Sequence, residues 1–438
     1  LENVPEIDDV RTMARILSAL GVDIRNEGNG IWRIRADNLE RFDAPNELVV
    51  NQRASFLVMG PLLGRFGEAA CCSPGGDVIG TRPLDLHLDG FRALGATVTR
   101  SGEQYYAENK ARSRLRGGSL FLDYPSVTGT MNLIFAAVLA EGETKIINAA
   151  MEPEIVSVID MLNAMGAKIA GKGGGILDIE GVPELHGVRH REVPDRLETG
   201  LIVLAAAVTR GEVTIEQAEP DHLHALLAKL REAGVGVETS ADTIGIDGVG
   251  RSFRGVQAQA VPYPGLATDL QPTLAAFLTQ CEGVSVIHER VYENRLLYIG
   301  ELRKMGADVI MAGQVKHTSL FSSLKPDWRL VKLLASLPAR NTDALIGGVQ
   351  RELEKEGIRL ADSTLLLKPL LAGEGVLSRR RPNDEERKDL DYGRRVAAAL
   401  SGFDVGQSVA VCERACVAVE AMEGTDAMLR RAAGLVNG

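Results

Sequence analysis

The sequence repeats with a period of about 70 residues, and this repeat constrains the fold more than any other feature. A helical pattern that ends in glycine and continues into a strand-like stretch occurs five times. The five glycines are Gly21, Gly95, Gly166, Gly234 and Gly306. We expect each of them to cap its helix, because glycine adopts the left-handed conformation that other residues resist.

A second pattern lies between these junctions and consists of an apolar helix, a glycine turn and a short strand. It occurs at 65–71, 140–146, 209–215 and 281–287, and its glycines are expected to cap their helices as well. Each unit is therefore predicted to contain an apolar helix, a strand, an amphipathic helix and two further strands. The glycine-rich stretch at 171–176 lies between two such strands and favours a hairpin turn over a phosphate loop. Several units must pack together to bury their apolar faces.

Composition excludes several functional classes for the 438-residue chain. The net charge of -10 argues against a nucleic-acid partner. The longest apolar runs, at 133–140 and 201–208, are far shorter than the roughly 20 residues that span a bilayer. The five cysteines form no CxxC pair and no disulfide framework, which favours a reducing cytoplasmic location.

One loop combines an acid and a cation. The stretch SPGGDVIGTRP, residues 73–83, contains Asp77 after two glycines and Arg82 five residues later. It can be read as a turn whose charges face water. It can also be read as a mobile active-site loop with a proton donor beside an anion-binding arginine. The loop alone does not decide between these interpretations.

The repeat stops after Gly306. A match to the second pattern at 354–360 is not followed by another glycine-capped helix and strand. The charged stretch 378–393 contains Pro382 and cannot form a core strand. We therefore expect a different kind of structure beyond about residue 311.

Several long motifs, in order, carry a family resemblance. They lie at 53–69, 74–88, 152–167, 194–200, 267–272 and 293–307. Residues 1–310 resemble the UDP-N-acetylglucosamine 1-carboxyvinyltransferase (MurA) family of enolpyruvyl transferases. The resemblance implies an α/β fold, the inside-out α/β barrel of this family, incomplete at both ends. The first barrel domain is expected at 1–193 and the second at 194–310.

The resemblance also implies a reaction and site residues. The family transfers enolpyruvate from phosphoenolpyruvate to the 3-hydroxyl of a UDP-sugar, without a metal or redox cofactor. Asp77 matches the family's loop acid, Arg82 a neighbouring anion-binding arginine, and Asp269 the carboxylate that faces the sugar hydroxyl. The positions that match substrate-binding residues are Arg53, Pro83, Leu84, Asp85, Leu86, Ser126, Val127, Val291 and Arg295.

Some positions depart from the family pattern. Asp77 stands where most members have a cysteine; since a carboxylate is a poorer nucleophile than a thiolate, resistance to the epoxide antibiotic fosfomycin is expected. Tyr124, Met131 and Met151 replace residues that are usually charged. The family's opening Lys-Asn pair and two arginines of its sixth unit have no match here, so the resemblance implies an impaired transferase.

Residues 311–438 resemble a second family, the LpxI-type UDP-2,3-diacylglucosamine pyrophosphatase. The match covers its C-terminal α/β domain and the last strand of its N-terminal domain. The family cleaves a sugar-nucleotide pyrophosphate with Mg²⁺, and the metal candidates here are Asp389, Glu423 and Asp426. Asp391, Gln407 and Thr425 lie nearby in these motifs. Without the resemblance, these acids would be read as solvated or capping residues at helix starts.

Three hypotheses therefore remain open. The chain is a transferase of peptidoglycan synthesis with an appended module, a pyrophosphatase of lipid A synthesis whose first half was replaced, or a non-catalytic composite of two truncated enzymes. The change from one pattern to the other at 306–318 has no Pro/Gly/Ser linker, which favours a join of fragments. The expected ligands are a UDP-sugar and phosphoenolpyruvate; the oligomeric state is open.

Overall fold

The computed structural model describes residues 1–39, 41–77, 79–80, 82–109, 114–310, 380–401, 408–421, 423 and 425–436, with a few isolated positions between 332 and 376. The chain divides into two compact units, Leu1–Ala307 and Asp308–Gly438. Each unit is described by itself below. The expected three-part division at 193 and 310 stays a prediction.

Helices and strands alternate along the first part of unit 1, as the repeat predicts. The elements are α1 (Asp8–Ala19), β1 (Asp23–Gly28), β2 (Ile31–Arg35), α2 (Asn46–Val49), α3 (Met59–Phe66), β3 (Glu68–Cys72), α4 (Asp85–Ala93), β4 (Thr97–Ser101), β5 (Gln104–Glu108), β6 (Ser119–Phe121), α5 (Val127–Ala137), β7 (Glu143–Ile147), α6 (Pro153–Ala164), β8 (Lys168–Ala170) and β9 (Ile176–Glu180). A 3-10 helix, Arg53–Val58, leads directly into α3.

The rest of unit 1 repeats the same order of elements. They are α7 (Arg196–Val208), β10 (Glu212–Glu216), α8 (His224–Ala233), β11 (Gly236–Thr239), β12 (Thr243–Asp247), β13 (Gln257–Ala260), α9 (Gln271–Leu278), β14 (Val286–Glu289) and α10 (Ile299–Lys304). Short 3-10 helices at Thr268–Leu270 and Arg295–Tyr298 precede α9 and α10.

The sheets confirm the repeated unit. Two three-stranded sheets have the same pattern, β3-β5-β4 and β10-β12-β11, and all their pairs are antiparallel. A four-stranded sheet has the order β6-β7-β9-β8, with one parallel pair, β6 and β7. The β8–β9 hairpin encloses the glycine-rich stretch 171–176, so the predicted hairpin turn is confirmed.

The junction glycines adopt the predicted backbone conformation. All five have φ between 94° and 103°, in the left-handed region. In the second pattern, Gly67, Gly142 and Gly283 are left-handed as well. The prediction is wrong for Gly211, because Arg210 takes the left-handed conformation instead, with φ of 55°.

Two separate hydrophobic clusters form the core of unit 1. The first contains Phe56, Leu63 and Leu133, and it lies around α3 and α5. The second surrounds α7 and α9 and includes Phe253 and Phe277, whose ring centroids are 5.2 Å apart. The apolar helices therefore lie inside, and the sheets cover them.

Unit 2 is described only in part. Its described elements are α11 (Asp384–Ser401), β15 (Val409–Cys412), β16 (Ala415–Val419) and α12 (Thr425–Val436). The strands form an antiparallel hairpin, and Met428 and Ala432 of α12 pack with Ala418. The charged stretch 378–393, which the sequence excludes as a core strand, continues into α11, and its residues 384–393 form the first part of that helix. The junction beyond residue 310 and Gln407 lie outside the described residues.

Across the described ranges of both units, none of the helices combines the length and the apolar character that crossing a membrane requires.

Candidate active site

The loop after β3 brings Asp77 and Arg82 together through the backbone. Arg82 Nη2 donates a hydrogen bond of 3.0 Å to the Asp77 carbonyl oxygen, and the Asp77 side chain is exposed. Gly76 has φ of 115°, and a Cβ atom at this position would lie 2.6 Å from Arg82 Nη2. A side chain at 76 would therefore displace the guanidinium, which explains the glycine that precedes the acid.

Arg53 lies beside Arg82 at the start of its 3-10 helix. Its guanidinium donates to the carbonyl oxygens of Arg82 and, at 3.3 Å, of Pro83. Burial and, secondly, the positive charge of Arg82 lower the pKa of Arg53. Among the described residues, neither arginine forms an ion pair with a carboxylate. We refer to Arg53 and Arg82 as the cationic pair, and its charge is available to an anionic ligand.

The residues that follow Arg82 connect the loop to α4. Pro83 is exposed, whereas Leu84 is buried and Leu86 packs against the first core cluster. Asp85 begins α4, and its Oδ1 accepts the Leu86 amide at 3.0 Å. Within this run, Leu84 and Leu86 anchor the loop, and Pro83 and Asp85 remain open to a ligand.

Ser126 and Val127 form the N-terminus of α5. Ser126 is the N-cap, and its Oγ accepts the Gly129 amide at 3.2 Å. Tyr124, two residues earlier, is 39% exposed. Burial and the nearby groups Tyr292, Glu152 and Glu289 raise the pKa of Tyr124 to about 12, so its hydroxyl stays protonated at neutral pH.

Asp269 and Arg295 form an ion pair. Arg295 Nη2 lies 2.8 Å from Asp269 Oδ1. The arginine side chain is 12% exposed and the carboxylate 51% exposed, so a nearly buried cation orients an accessible acid. The sequence predicts both residues but not their pairing.

The segment around Tyr292 connects the loop to this ion pair. The Arg82 guanidinium lies 6.0 Å from the centroid of the Tyr292 ring, and the Asn294 amide donates to the Ile79 carbonyl oxygen at 3.1 Å. Val291 donates its amide to Glu289 at 2.7 Å. The predicted residues of the loop and those of 291–295 are therefore joined by direct contacts, and we refer to the region they share as the candidate cleft.

Sequence reasoning misses two charged residues close to this cleft. Glu152 is 6% exposed, burial raises its pKa, and its Oε2 has no hydrogen-bond partner among the described residues. Arg196 is 12% exposed and pairs with Glu154 through contacts of 3.1 and 3.2 Å. Glu152 lies within the motif 152–167 and Arg196 within the motif 194–200. The spacing of the two motifs along the chain does not indicate that these residues lie close together.

The three metal candidates of unit 2 have other contacts. Asp389 Oδ1 accepts the Arg414 amide at 2.6 Å, and Glu423 pairs with Arg431. Asp426 is exposed in the first turn of α12. Within the described ranges, no group of three or more His, Cys, Asp or Glu side chains could hold a metal ion. The described donors do not fit a Mg²⁺ site, and the metal assignment stays a prediction.

Comparison with known families identifies the family to which unit 1 is similar. The family model for EPSP synthase (3-phosphoshikimate 1-carboxyvinyltransferase) matches residues 1–326. The chain belongs to the EPSP synthase family. This confirms the resemblance to enolpyruvyl transferases that the repeat and its motifs indicated.

Curated relatives and a solved structure support the same family. UDP-N-acetylglucosamine 1-carboxyvinyltransferase from Shewanella woodyi is 43% identical over 311 residues, which cover 71% of this chain and 74% of the relative. The enzyme of the same name from Finegoldia magna is 42% identical over 327 residues, 74% of this chain and 77% of the relative. The enolpyruvyl transferase NikO from Streptomyces tendae superposes with a TM-score of 0.61 at 23% identity, covering 69% of this chain and 71% of its own. This likeness confirms the fold.

The second resemblance is also confirmed. The LpxI C-terminal domain model matches residues 373–438, and the LpxI N-terminal domain model matches residues 293–378. The N-terminal match is longer than the single last strand that the sequence motifs suggested. Its first part overlaps the EPSP synthase match, so residues 293–326 resemble both families.

Proposed function

We propose that the chain transfers an enolpyruvyl group from phosphoenolpyruvate to the 3-hydroxyl of UDP-N-acetylglucosamine, with release of phosphate. The relatives that carry this name support the substrates. The observation that carries the proposal is that direct contacts link the loop with Asp77 and the cationic pair to the segment of the Asp269–Arg295 ion pair. Together these residues can bind an anion, donate a proton and accept a proton.

Each side chain has a role in this mechanism. Protonated Asp77 donates its proton to the methylene carbon of phosphoenolpyruvate, which makes the neighbouring carbon electrophilic. Asp269 takes the proton of the sugar 3-hydroxyl as its oxygen attacks that carbon. The bond between that carbon and the phosphate oxygen then breaks, and the phosphate takes the proton held by Asp269. The new methyl group returns a proton to the Asp77 carboxylate, which restores the double bond and the acid. Phosphate and the enolpyruvyl ether are the products.

The cationic pair serves this reaction electrostatically. Phosphoenolpyruvate carries a phosphate and a carboxylate, and a guanidinium binds either group through two parallel hydrogen bonds. Fixed donors aimed at developing negative charge account for a large share of catalysis in such sites. Because the side chains supply proton transfer and anion binding, we propose that the transferase uses no metal or redox cofactor. We also propose a cytoplasmic location, where phosphoenolpyruvate is available.

The test is release of phosphate from phosphoenolpyruvate in the presence of UDP-N-acetylglucosamine, with the product identified by mass spectrometry. The Asp77→Asn variant is expected to lose at least about a hundredfold in rate, because an amide cannot donate the proton. Asp77→Cys is expected to be inactivated by fosfomycin, whereas the parent chain is not. A parent chain without the enolpyruvyl product would contradict the proposal; low turnover would agree with the expected impairment.

A second candidate function rests on the two LpxI matches. Mg²⁺-dependent cleavage of UDP-2,3-diacylglucosamine into UMP and the sugar 1-phosphate would support it. If neither assay shows a product, the chain is a non-catalytic composite, and UDP-N-acetylglucosamine affinity would then measure what its first unit retains.

A further inference from the structure

Glu289 lies at the end of β14 and accepts three hydrogen bonds. Its Oε1 accepts the amides of Val291 at 2.7 Å and Tyr292 at 3.2 Å. Its Oε2 accepts the Thr268 hydroxyl at 2.8 Å. The side chain is half-buried, and both of its oxygens accept hydrogen bonds from the protein itself.

These three donors belong to the two segments that carry the site. Thr268 is the first residue of the 3-10 helix that contains Asp269. The amides of Val291 and Tyr292 open the turn that places the Tyr292 ring against Arg82 and the Asn294 amide against Ile79. Glu289 thus joins the turn that presents the proton acceptor to the turn that holds the loop.

The chemistry of the contacts favours a carboxylate over an amide. The two amides can only donate, and an ionised carboxylate is an acceptor at both oxygens. A glutamine could keep its oxygen on the two amides and direct its NH₂ group to the hydroxyl, which can accept as well as donate, so it would retain the contacts but not the charge. Hydrogen bonds to an ionised acceptor are the stronger ones, and an alanine at this position would remove all three.

We propose that Glu289 is a positioning residue of the transferase, which orients Asp269 through Thr268 and the Arg82-bearing loop through Tyr292 and Asn294. The inference rests on the proposed function, and it assigns Glu289 no contact with the substrate. Its effect is on the geometry of the reacting groups, so loss of Glu289 acts mainly on kcat.

The experiment compares Glu289→Ala, Glu289→Asp and Thr268→Val in the full chain. Phosphate release gives kcat and KM, and hydrogen–deuterium exchange follows the amides of residues 289–295. In Glu289→Ala, kcat is expected to fall at least tenfold with KM for the sugar nucleotide changed less than threefold, and exchange at Val291 and Tyr292 to rise at least tenfold. Thr268→Val should lower kcat severalfold without this rise in exchange. Glu289→Asp should restore part of kcat.

The matched control is Asp247→Ala. Asp247 also accepts a backbone amide two residues ahead, that of Val249 at 3.0 Å, but its other contact is Arg251 and not a site residue. The control should lower the melting temperature as much as Glu289→Ala does, with kcat unchanged.

The outcomes separate this proposal from the proposed function. A parent chain without phosphate release contradicts the function, and exchange at Val291 and Tyr292, together with UDP-N-acetylglucosamine affinity, then tests Glu289 alone. Unchanged exchange in Glu289→Ala would overturn the positioning role. With an active parent, a kcat of Glu289→Ala within twofold of the parent would overturn it as well.

Discussion

The two sides of the candidate cleft are built on opposite electrostatic principles. On one side, Arg53 and Arg82 lie together, and within the described part of the chain neither has a carboxylate partner. On the other side, Asp269 is paired with the nearly buried Arg295 at 2.8 Å. The positive charge of the first side is available to an anionic ligand, whereas the positive charge of the second side orients an acid.

Different interactions therefore stabilise the two sides. The cationic pair brings like charges together and is held by hydrogen bonds from guanidinium groups to backbone carbonyl oxygens of the loop. Such a site is unfavourable when empty and becomes favourable when an anion binds. The Asp269–Arg295 pair is electrostatically satisfied without a ligand, so its contribution is to geometry.

The largest effect is expected from Arg82→Ala. The variant removes a cation from the anion-binding side, and loss of one such donor costs about 10²–10³ in rate. The loss should appear in kcat/KM for phosphoenolpyruvate, measured by phosphate release. Arg92→Ala is the matched control, because Arg92 is exposed and paired with Asp89 on the outside of α4. Equal losses in both variants would show that the effect comes from the loss of any cation and not from the anion-binding side.

A smaller effect is expected from Arg295→Ala. The substitution leaves Asp269 in place but removes the guanidinium that orients it, and a rate loss of about tenfold is expected since the acid itself remains. The loss should appear mainly in kcat, while KM for phosphoenolpyruvate changes little. Lys304→Ala, which breaks an exposed pair with Glu301, is the control. A large rise in KM would show that both sides bind the anion.

The repeat predicted the architecture because its signal is local. A glycine after an amphipathic helix reports a left-handed turn wherever it occurs, and all five junctions follow it. The exception at Arg210 shows that the turn can move by one residue when the neighbouring side chain tolerates the strain. The family motifs located Asp77, Arg82 and Asp269, but Glu152 contacts a residue 111 positions away and Glu289 one 21 positions away. Spacing carries no information about such contacts, so the sequence could not reveal them.

The next prediction concerns His87, a buried residue of α4. It is 2% exposed, its ring lies 3.0 Å from the Asn132 amide nitrogen, and burial and Arg53 lower its pKa to about 3. The folded state thus binds fewer protons than the unfolded state below pH 6.5. His87 therefore does not lower the free energy of unfolding above pH 6.5. As the pH drops from there towards 3, this free energy falls by up to about 1.4 kcal/mol per pH unit.

Denaturant unfolding between pH 7 and 4 checks this dependence. His87→Gln should flatten the curve in that window, although it lowers stability at pH 7. His224→Gln should leave the curve unchanged, since His224 is largely exposed. A parent curve with the same slope as the His87 variant would show that the ring is protonated without cost.

The smallest effect is expected from Gly76→Ala, which tests how closely the backbone fixes the cationic pair. The φ of 115° resists any side chain and costs about 1 kcal/mol, and the new methyl group would meet Arg82 Nη2 at 2.6 Å. Because a guanidinium is the end of a flexible side chain, it can move away. Arg82 would then lose its bond to the Asp77 carbonyl oxygen. A severalfold fall in kcat/KM for phosphoenolpyruvate is expected, and none when Arg82 is already alanine.

Gly173→Ala, also at positive φ but with nothing within 4 Å of its Cβ, should lower stability without changing kcat/KM. If Gly76→Ala and Arg82→Ala were additive, the glycine would serve the turn rather than the arginine, and the cationic side would be more plastic than its hydrogen bonds indicate.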